Sequence, residues 1–230
     1  MLRTPLKHVV PSIAKTRRTY SVQASSALPS SAYTDPTNRG GPSTLSTPKD
    51  ITEDQRQALN AALRVDQAGE VAANYIYQGQ LAVLGRHRTA GPLIQEMWDQ
   101  EKKHLQVMNR LQVQHNVRPT VLWEVAKVAG FGLGAVTALM GKEAAMACTE
   151  AVETVIGEHY DDQLKEMDEL NTSHPSIPLL KDVIKEFRDD ELEHLDIAVE
   201  NDSQRAPAHA LLSTVVGAGC KIAIELCKRF

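Results

Sequence analysis

The sequence predicts an all-α fold, a bundle of four long helices with two additional amphipathic or apolar helices. Two stretches of the chain repeat each other, and each places a glutamate and a histidine three residues apart, on one face of a helix. A second matched stretch, carrying a lone glutamate, precedes each of them. Aromatic residues make up only 4% of the chain, which is low for a β-rich fold. A repeated pattern spread over four helices indicates a four-helix bundle.

The four long helices are placed by their start and stop signals. Thr52 and Gln55 fit a capping box, so the first helix is predicted to begin there. Pro92 is suited to the first turn of the second helix. The loop between the third and fourth helices is expected at Asn171–Pro178. The predicted helices therefore cover about residues 52–84, 92–115, 142–171 and 178–201.

Two further segments are more apolar. No charged residue lies between Val128 and Met140, but this run is shorter than the roughly 20 residues that a membrane-spanning helix needs. With its glycines, residues 120–148 predict a bent helix that lies on a membrane or lines an apolar channel. A buried helix in the core is the alternative. Pro207–Phe230 is predicted to form an amphipathic helix that packs on the bundle or covers the site.

The repeat supplies six candidate metal ligands. Trp98–His104 matches Phe187–His194, and Ala68–Leu81 matches Ala151–Leu164. Four carboxylates would balance the charge of two divalent ions, and a mixed carboxylate and imidazole set suits iron or manganese. In a four-helix bundle this is the ligand set of a two-iron site. The predicted ligands are Glu70, Glu101, His104, Glu153, Glu191 and His194.

His159 and Tyr160 are candidates for a catalytic role behind the ligands. Both follow Glu153 on the same predicted helix, and Tyr160 matches Tyr77 in the repeat. His159 matches Ile76, so this imidazole is present in only one half. A role in orienting a ligand or transferring a proton is one interpretation, and a structural histidine is the other.

The N-terminal part of the chain is predicted to lie outside the fold. Residues 1–34 contain no Asp or Glu but several Arg, Lys and Ser, which is typical of a mitochondrial transit peptide. The motif Arg17–Ser21 indicates removal of residues 1–20; a disordered basic tail is the alternative. Residues 21–50, rich in Ser, Thr, Pro and Gly, are predicted to form a disordered linker. The folded domain is then expected over residues 51–230.

Charge, cysteine content and motifs exclude several classes. A net charge of −4 lacks the basic footprint of a nucleic-acid-binding protein. Three cysteines are a sparse, odd set, and we expect free thiols. No glycine-rich dinucleotide or phosphate motif is present, so a Rossmann domain is excluded.

The sequence resembles the mitochondrial demethoxyubiquinone hydroxylase family of ubiquinone biosynthesis. The resemblance covers nearly all of residues 55–230. It is carried by the motifs at Arg64–Glu70, Met97–His104, Ala147–Glu153, Asp189–His194 and Ala218–Ile224.

The resemblance implies a ferritin-like fold with a carboxylate-bridged di-iron centre and the same six ligands. Glu101 and Glu191 are the candidates to bridge the metals. The implied reaction is ring hydroxylation of a polyprenyl-methoxy-methyl-benzoquinol, from demethoxyubiquinol to demethylubiquinol. The implied co-substrate is O2 and the electron donor is NADH. Lys221 and Arg229 match basic positions that the family associates with nicotinamide or quinone access, and ordinary solvated charges are the alternative.

The resemblance also implies partners and a location. The substrate is a polyprenylated quinone, a lipid-binding partner protein helps to present it, and a homo-oligomer is left open. The expected location is the matrix side of the mitochondrial inner membrane, as a peripheral protein at the membrane surface.

Two alternative functions are a ferritin-like iron-handling protein and a non-enzymatic quinone-binding scaffold. The apolar run at 128–140 argues against the first, and the full set of six ligands argues against the second.

Overall fold

The computed structural model describes residues 28–230, and within that range every regular element is a helix. In chain order the helices are α1 (Ser31–Thr34), α2 (Pro42–Leu45), α3 (Glu53–Leu84), α4 (Ala90–His115), α5 (Trp123–Leu139), α6 (Lys142–Asp168), α7 (Ser176–Glu200) and α8 (His209–Arg229). A 3₁₀ turn at Ser203–Arg205 precedes α8.

Four long helices, α3, α4, α6 and α7, form the bundle. Helix α3 packs along α4, and α6 packs along α7. Helix α5 lies along α3, and α8 lies along α6 and α3. The predicted fold class, a ferritin-like four-helix bundle with two additional helices, is confirmed.

The ends of the bundle helices follow local sequence signals. The Thr52 amide donates to Gln55 Oε1 at 3.0 Å, and the Gln55 amide donates to Thr52 Oγ1 at 3.2 Å, as predicted for a capping box. Helix α4 ends where Asn116 adopts a left-handed conformation with φ 58°. Helix α7 begins at Ser176, earlier than predicted, because a proline such as Pro178 is tolerated in a first turn.

Helix α5 uses its glycines for close packing on α3. A Cβ at Gly134 would lie 2.0 Å from the Ile76 carbonyl oxygen, and one at Gly130 would lie 2.6 Å from the Ala72 carbonyl oxygen. The opposite face is apolar and open, with Val128 76% exposed. Helix α5 is therefore packed on one side only, which differs from the alternative of a buried core helix. The chain turns into α6 at Gly141, where φ is 122°.

Helix α8 has an unusually exposed apolar surface. Within residues 28–230 it is the one helix whose length and composition would allow it to cross a membrane, and only 11% of its apolar window is buried. One face of α8 contacts the bundle through residues such as Val216 and Cys227. The opposite face carries exposed residues such as Leu211 and Ile222.

Residues 28–50 lie against the bundle, which differs from the disordered linker predicted for 21–50. Tyr33 is 2% exposed, and its hydroxyl donates to Gln114 Oε1 at 2.8 Å. The Ser30 amide and hydroxyl both donate to the Glu186 carboxylate, at 2.8 and 2.7 Å. A segment of this composition cannot bury a core of its own, which is why disorder was predicted. Residues 28–50 are ordered because they pack on the surface that α4 and α7 provide. The predicted transit peptide, residues 1–20, lies outside the described residues.

Candidate metal centre

The six predicted ligands converge at the centre of the bundle. Their side chains are between 0 and 3% exposed. They form two groups, and within each group the potential ligand atoms all lie within 4.8 Å of one another. Glu101 and Glu191 belong to both groups. The first group adds Glu70 and His104, and the second adds Glu153 and His194.

Each imidazole presents Nδ1 to the shared carboxylates. His104 Nδ1 lies 3.3 Å from Glu191 Oε1 and 3.7 Å from Glu70 Oε2. His194 Nδ1 lies 3.2 Å from Glu101 Oε1 and 3.4 Å from Glu191 Oε2. Because the glutamate and histidine of each Glu-x-x-His motif share a helix face, α4 and α7 each contribute one carboxylate and one imidazole to the cluster.

The inner atoms of this cluster lack hydrogen-bond partners, and this supports a fit to metal ions. Buried polar atoms are normally paired, so unpaired ones require an explanation. The buried atoms without a hydrogen bond include Glu70 Oε2, both oxygens of Glu101, His104 Nδ1, Glu191 Oε2 and His194 Nδ1. Carboxylate oxygens and imidazole nitrogens are suitable donors for divalent transition metals. The residues present therefore form a buried cluster compatible with metal binding.

The cluster strongly shifts the pKa values of its members. Burial, followed by repulsion from neighbouring carboxylates, raises the pKa values of Glu70 and Glu153 well above the usual value. Burial alone would raise the pKa of Glu191, but the facing imidazole rings of His104 and His194 hold it below the usual range. Burial lowers the pKa of His194, but Glu101 and Glu191 outweigh it and raise this pKa to about 11. Such mutual dependence is expected where buried charges share one site.

Two tyrosines hold the two lone glutamates. The Tyr160 hydroxyl donates to Glu70 Oε1 at 2.7 Å, and the Tyr77 hydroxyl donates to Glu153 Oε1 at 2.9 Å. The repeat pairs these tyrosines, and each reaches across from its own half to the glutamate of the other half. The structure thus places Tyr160 directly behind a candidate ligand.

His159 lies beside the cluster. His159 Nε2 lies 2.9 Å from Asp66 Oδ1, and the Gln163 amide nitrogen donates to Asp66 Oδ2 at 2.9 Å. Asp66 is 3% exposed. Asp66 was not among the predicted site residues, although it lies four residues before Glu70 and therefore on the same helix face.

Gln100 and Asp190 are the other polar neighbours that the sequence analysis missed. His104 Nε2 lies 2.9 Å from Asp190 Oδ2, and His194 Nε2 contacts Gln100 Oε1. Each of these residues directly precedes the glutamate of a Glu-x-x-His motif, and the repeat aligns them. Metal-binding histidines usually pair their outer nitrogen with a carboxylate or carbonyl oxygen, which is the signal that would have found both.

Lys221 and Arg229, the candidates for the nicotinamide cofactor, lie away from the cluster on the exposed surface of α8. Lys221 Nζ pairs with Glu158 Oε2 on α6 at 3.1 Å. The structure does not bring the two basic residues into the carboxylate cluster.

An apolar cavity of about 380 Å³ adjoins the cluster. It lies between α3, α5, α6 and α8 and is lined almost entirely by small and aliphatic residues. A small space against Glu70, Glu101, Glu153 and Glu191 shares four lining residues with it: Val65, Gly69, Ala73 and Ile156. Cys220 and Cys227 also line the cavity, and both are free thiols, as is Cys148. The apolar cavity therefore lies next to the small space against the carboxylate cluster, with α5 and α8 forming its outer walls.

A four-helix bundle with a buried cluster of four glutamates and two histidines defines a ferritin-like protein with a candidate two-metal centre. The family model for the ubiquinone biosynthesis protein COQ7 matches residues 57–227, which include all six clustered residues. The chain belongs to this family.

Relatives in three organisms carry names from the same process. The chain is 53% identical over 174 residues to the NADPH-dependent 3-demethoxyubiquinone 3-hydroxylase, mitochondrial, of Bos taurus, covering 76% of this chain and 79% of that protein. It is 43% identical over 191 residues to the 5-demethoxyubiquinone hydroxylase, mitochondrial, of Saccharomyces cerevisiae, covering 79% and 82%. It is 47% identical over 171 residues to the 3-demethoxyubiquinol 3-hydroxylase of Rhodospirillum rubrum, covering 74% and 78%.

Proposed function

We propose that this chain is a di-iron monooxygenase that hydroxylates the ring of a demethoxyubiquinol. The observation that carries the proposal is the pair of ligand groups that share Glu101 and Glu191. Glu70 and His104 would hold one iron, Glu153 and His194 the other, and the shared glutamates would bridge both. Two divalent ions would balance four buried carboxylates, which would otherwise be costly in a core. The names of the relatives support ring hydroxylation as the reaction.

The apolar cavity supports a polyprenylated quinone as the substrate. Its walls are built from residues such as Ala72, Leu133 and Ile224. Burial of a hydrocarbon tail in such surroundings is favourable by about 25 cal/mol per Å² of apolar area removed from water. Gly69 and Ala73 line both this cavity and the small space against the carboxylates. The ring would lie at this inner end, with the tail directed towards α5 and α8.

The chain's own residues position the reaction and control its protons. Bound iron would supply the reduction of dioxygen that ring hydroxylation requires. Tyr160 and Tyr77 orient Glu70 and Glu153 through hydrogen bonds, and the bundle excludes water from the cluster. His159, next to Tyr160 and bonded to Asp66, is proposed to move a proton between the quinol and the cluster.

A reduced nicotinamide is proposed as the electron donor. The sequence resemblance implies NADH, and the name of the Bos taurus relative specifies NADPH. Lys221 and Arg229 on α8 would contact its phosphates, as basic side chains do. For Lys221 this would require exchange of its present partner Glu158 for a phosphate oxygen.

The proposed location is the matrix side of the mitochondrial inner membrane, without a span across it. Exposed apolar residues on α5 and α8, such as Val128, Leu139 and Leu211, surround the outer side of the cavity. A helix with one packed face and one exposed apolar face is suited to lie in a membrane surface. A lipid-binding partner protein would help to deliver the quinone to this face, and a homo-oligomer remains compatible with it.

The proposal is tested by measuring iron content and product on one sample. The full chain would be purified in detergent, loaded with ferrous iron without oxygen, and supplied with O2, a short-chain demethoxyquinone and either NADH or NADPH. We expect about two irons per chain, as in other bundles of this class, and hydroxylated product. Glu153→Gln should lose iron binding and product formation, whereas Glu166→Gln, on the exposed side of α6, should keep iron binding and product formation. Two irons without product would favour iron handling, and no iron would contradict the metal site.

A further inference from the structure

The outer nitrogens of the two clustered histidines have partners of different charge. His104 Nε2 lies 2.9 Å from Asp190 Oδ2, and His194 Nε2 contacts Gln100 Oε1. Both rings are fully buried and both turn Nδ1 towards the shared carboxylates. The two imidazoles thus share one geometry but differ in the group behind them, a carboxylate for His104 and a neutral amide for His194.

The internal repeat makes this a matched comparison. Asp190 on α7 and Gln100 on α4 occupy equivalent positions, each directly before the glutamate of its motif. Each reaches across to the histidine of the other half. The arrangement has approximate twofold symmetry. The negative charge of Asp190, at the position where Gln100 is neutral, breaks this symmetry.

A second pair of equivalent residues breaks the symmetry in the same direction. Gln163 donates to the carboxylate of Asp66, whereas its repeat partner Gln80 donates to the hydroxyl of Thr149. Asp66 lies on α3 one turn before Glu70, in the half that contains His104. By contrast, the tyrosine bonds to Glu70 and Glu153, at 2.7 and 2.9 Å, are alike in both halves. The additional carboxylates are therefore concentrated on one side of the cluster.

We infer that the two metal positions are unequal, and that the position held by Glu70 and His104 binds its ion more tightly and fills first. A carboxylate behind a ligating imidazole fixes the ring and makes it a stronger donor, and loss of such a partner typically weakens metal binding by about 10- to 100-fold. The amide of Gln100 fixes the ring of His194 without adding charge. This inference rests on the proposed function, because it requires that the cluster binds metal.

Anaerobic titration of ferrous iron into the metal-free full chain, followed by calorimetry, tests the inference. We expect two binding steps whose dissociation constants differ by at least about tenfold. Asp190→Asn keeps the shape of the side chain and should weaken the tight step by about tenfold or more, which brings the two steps together. Gln100→Glu should strengthen the weaker step and leave the tight step unchanged. Asp189→Asn, an exposed neighbour that pairs with Arg188, is the matched control and should change neither step.

A spectroscopic measurement distinguishes the two positions directly. One equivalent of Mössbauer-active iron should occupy a single environment in the native chain and divide between two environments in Asp190→Asn. If Asp190→Asn does not fold, Gln100→Glu tests the inference instead. A stronger weak binding step in Gln100→Glu would support the inference, and an unchanged weak step would contradict it. Two equal steps in the native chain, or equal weakening of both steps by Asp190→Asn, would overturn the inference while leaving the proposed two-iron centre intact. Absence of iron binding would overturn both.

Discussion

Glu191 lies between the two histidines of the cluster. Its two oxygens face both histidines, at 3.3 and 3.4 Å, and it belongs to both ligand groups. The two facing imidazole rings hold its pKa below the usual range, so it remains a carboxylate although it is buried. In the proposed di-iron centre, a group shared in this way would affect both metal positions at once.

Glu191→Gln should therefore remove metal binding and activity together. We expect iron content well below two per chain and a loss of hydroxylation of more than about a hundredfold, because a bridging ligand is worth more than the 10- to 100-fold typical of an outer partner. Iron analysis, product formation and circular dichroism on one preparation would check this. Glu193→Gln, which changes an exposed side chain of the same helix, is the control. Normal activity in Glu191→Gln would contradict the ligand assignment.

The contact between α3 and α5 depends on the absence of side chains. Gly79, Gly130 and Gly134 bring the two backbones so close that a Cβ would lie 2.0 to 2.6 Å from a carbonyl oxygen of the other helix. The position of α5 matters for function, because Ala129, Gly130 and Leu133 form one wall of the apolar cavity.

Gly134→Ala should force α5 away from α3. The expected cost is about 1–3 kcal/mol, the range for overpacking a core, and it should appear as a lower melting temperature. Gly132→Ala is the matched control on the same helix, because its Cβ would meet no atom within 4 Å. This control should be neutral or stabilising by up to about 1 kcal/mol, since Ala favours helix. Equal melting temperatures for the two variants would contradict the close contact.

The N-terminal segment is attached to the bundle partly through a buried histidine. His115, which is 2% exposed, lies 3.0 Å through Nδ1 from Thr47 Oγ1, and Arg56 donates to the same hydroxyl at 2.8 Å. Burial, with help from Arg56 and His174, lowers the pKa of His115 to about 4. The packed state of this segment therefore requires a neutral imidazole.

This shift predicts a loss of stability in mild acid. Between pH 6.5 and 4 the unfolded chain binds a proton at His115 that the folded chain does not, so the free energy of unfolding falls as the pH is lowered through this window. Between pH 7 and pH 5, His115 should lower the free energy of unfolding by about 2 kcal/mol. Denaturant titration at both pH values would measure it. His115→Gln should lose this part of the pH dependence, and an unchanged dependence would contradict the assignment.

The whole molecule combines a buried polar cluster with an apolar cavity that leads towards the exposed faces of α5 and α8. The bundle helices α3 and α6 take part in both, since each contributes clustered residues on one face and cavity walls on another. Helix α8 closes the outer side of the cavity. It lines this space with residues such as Gly219, Ala223 and Ile224, while Ile222 faces outwards.

Gly219→Leu should obstruct the cavity without disturbing the metal centre. A Cβ at Gly219 would meet no atom within 4 Å, so the larger side chain can be accommodated without moving the backbone. We expect kcat/KM for the quinone to fall at least about tenfold, which corresponds to about 1.4 kcal/mol of transition-state binding. Iron content should stay unchanged. Ala218→Leu, an exposed neighbour outside the cavity wall, is the control, and equal effects of both variants would contradict the proposed route.

The repeated motifs along the chain were enough to predict the fold class and the six residues of the cluster. Repeated Glu-x-x-His motifs at helical spacing predicted four bundle helices, because residues three apart must share a helix face. The same repeat selected Glu153 from several nearby glutamates, and the structure places it with the other five. Glu101 and Glu191 belong to both groups, and their bridging role stays a prediction.

The residues behind the candidate ligands, and the packing of the additional segments, depend on contacts that form only in the folded chain. Asp66, Gln100 and Asp190 act across helices, and such pairs are not encoded in spacing along one chain segment. The glycines of α5 predicted a bend, yet they serve a close contact that exists only once α3 is beside them. Residues 28–50 were predicted to be disordered, but they pack on a surface that other helices supply. The spacing of residues along one segment determines where a helix forms and which residues share a face of it. Contacts between distant segments depend on how the faces of different helices pack together.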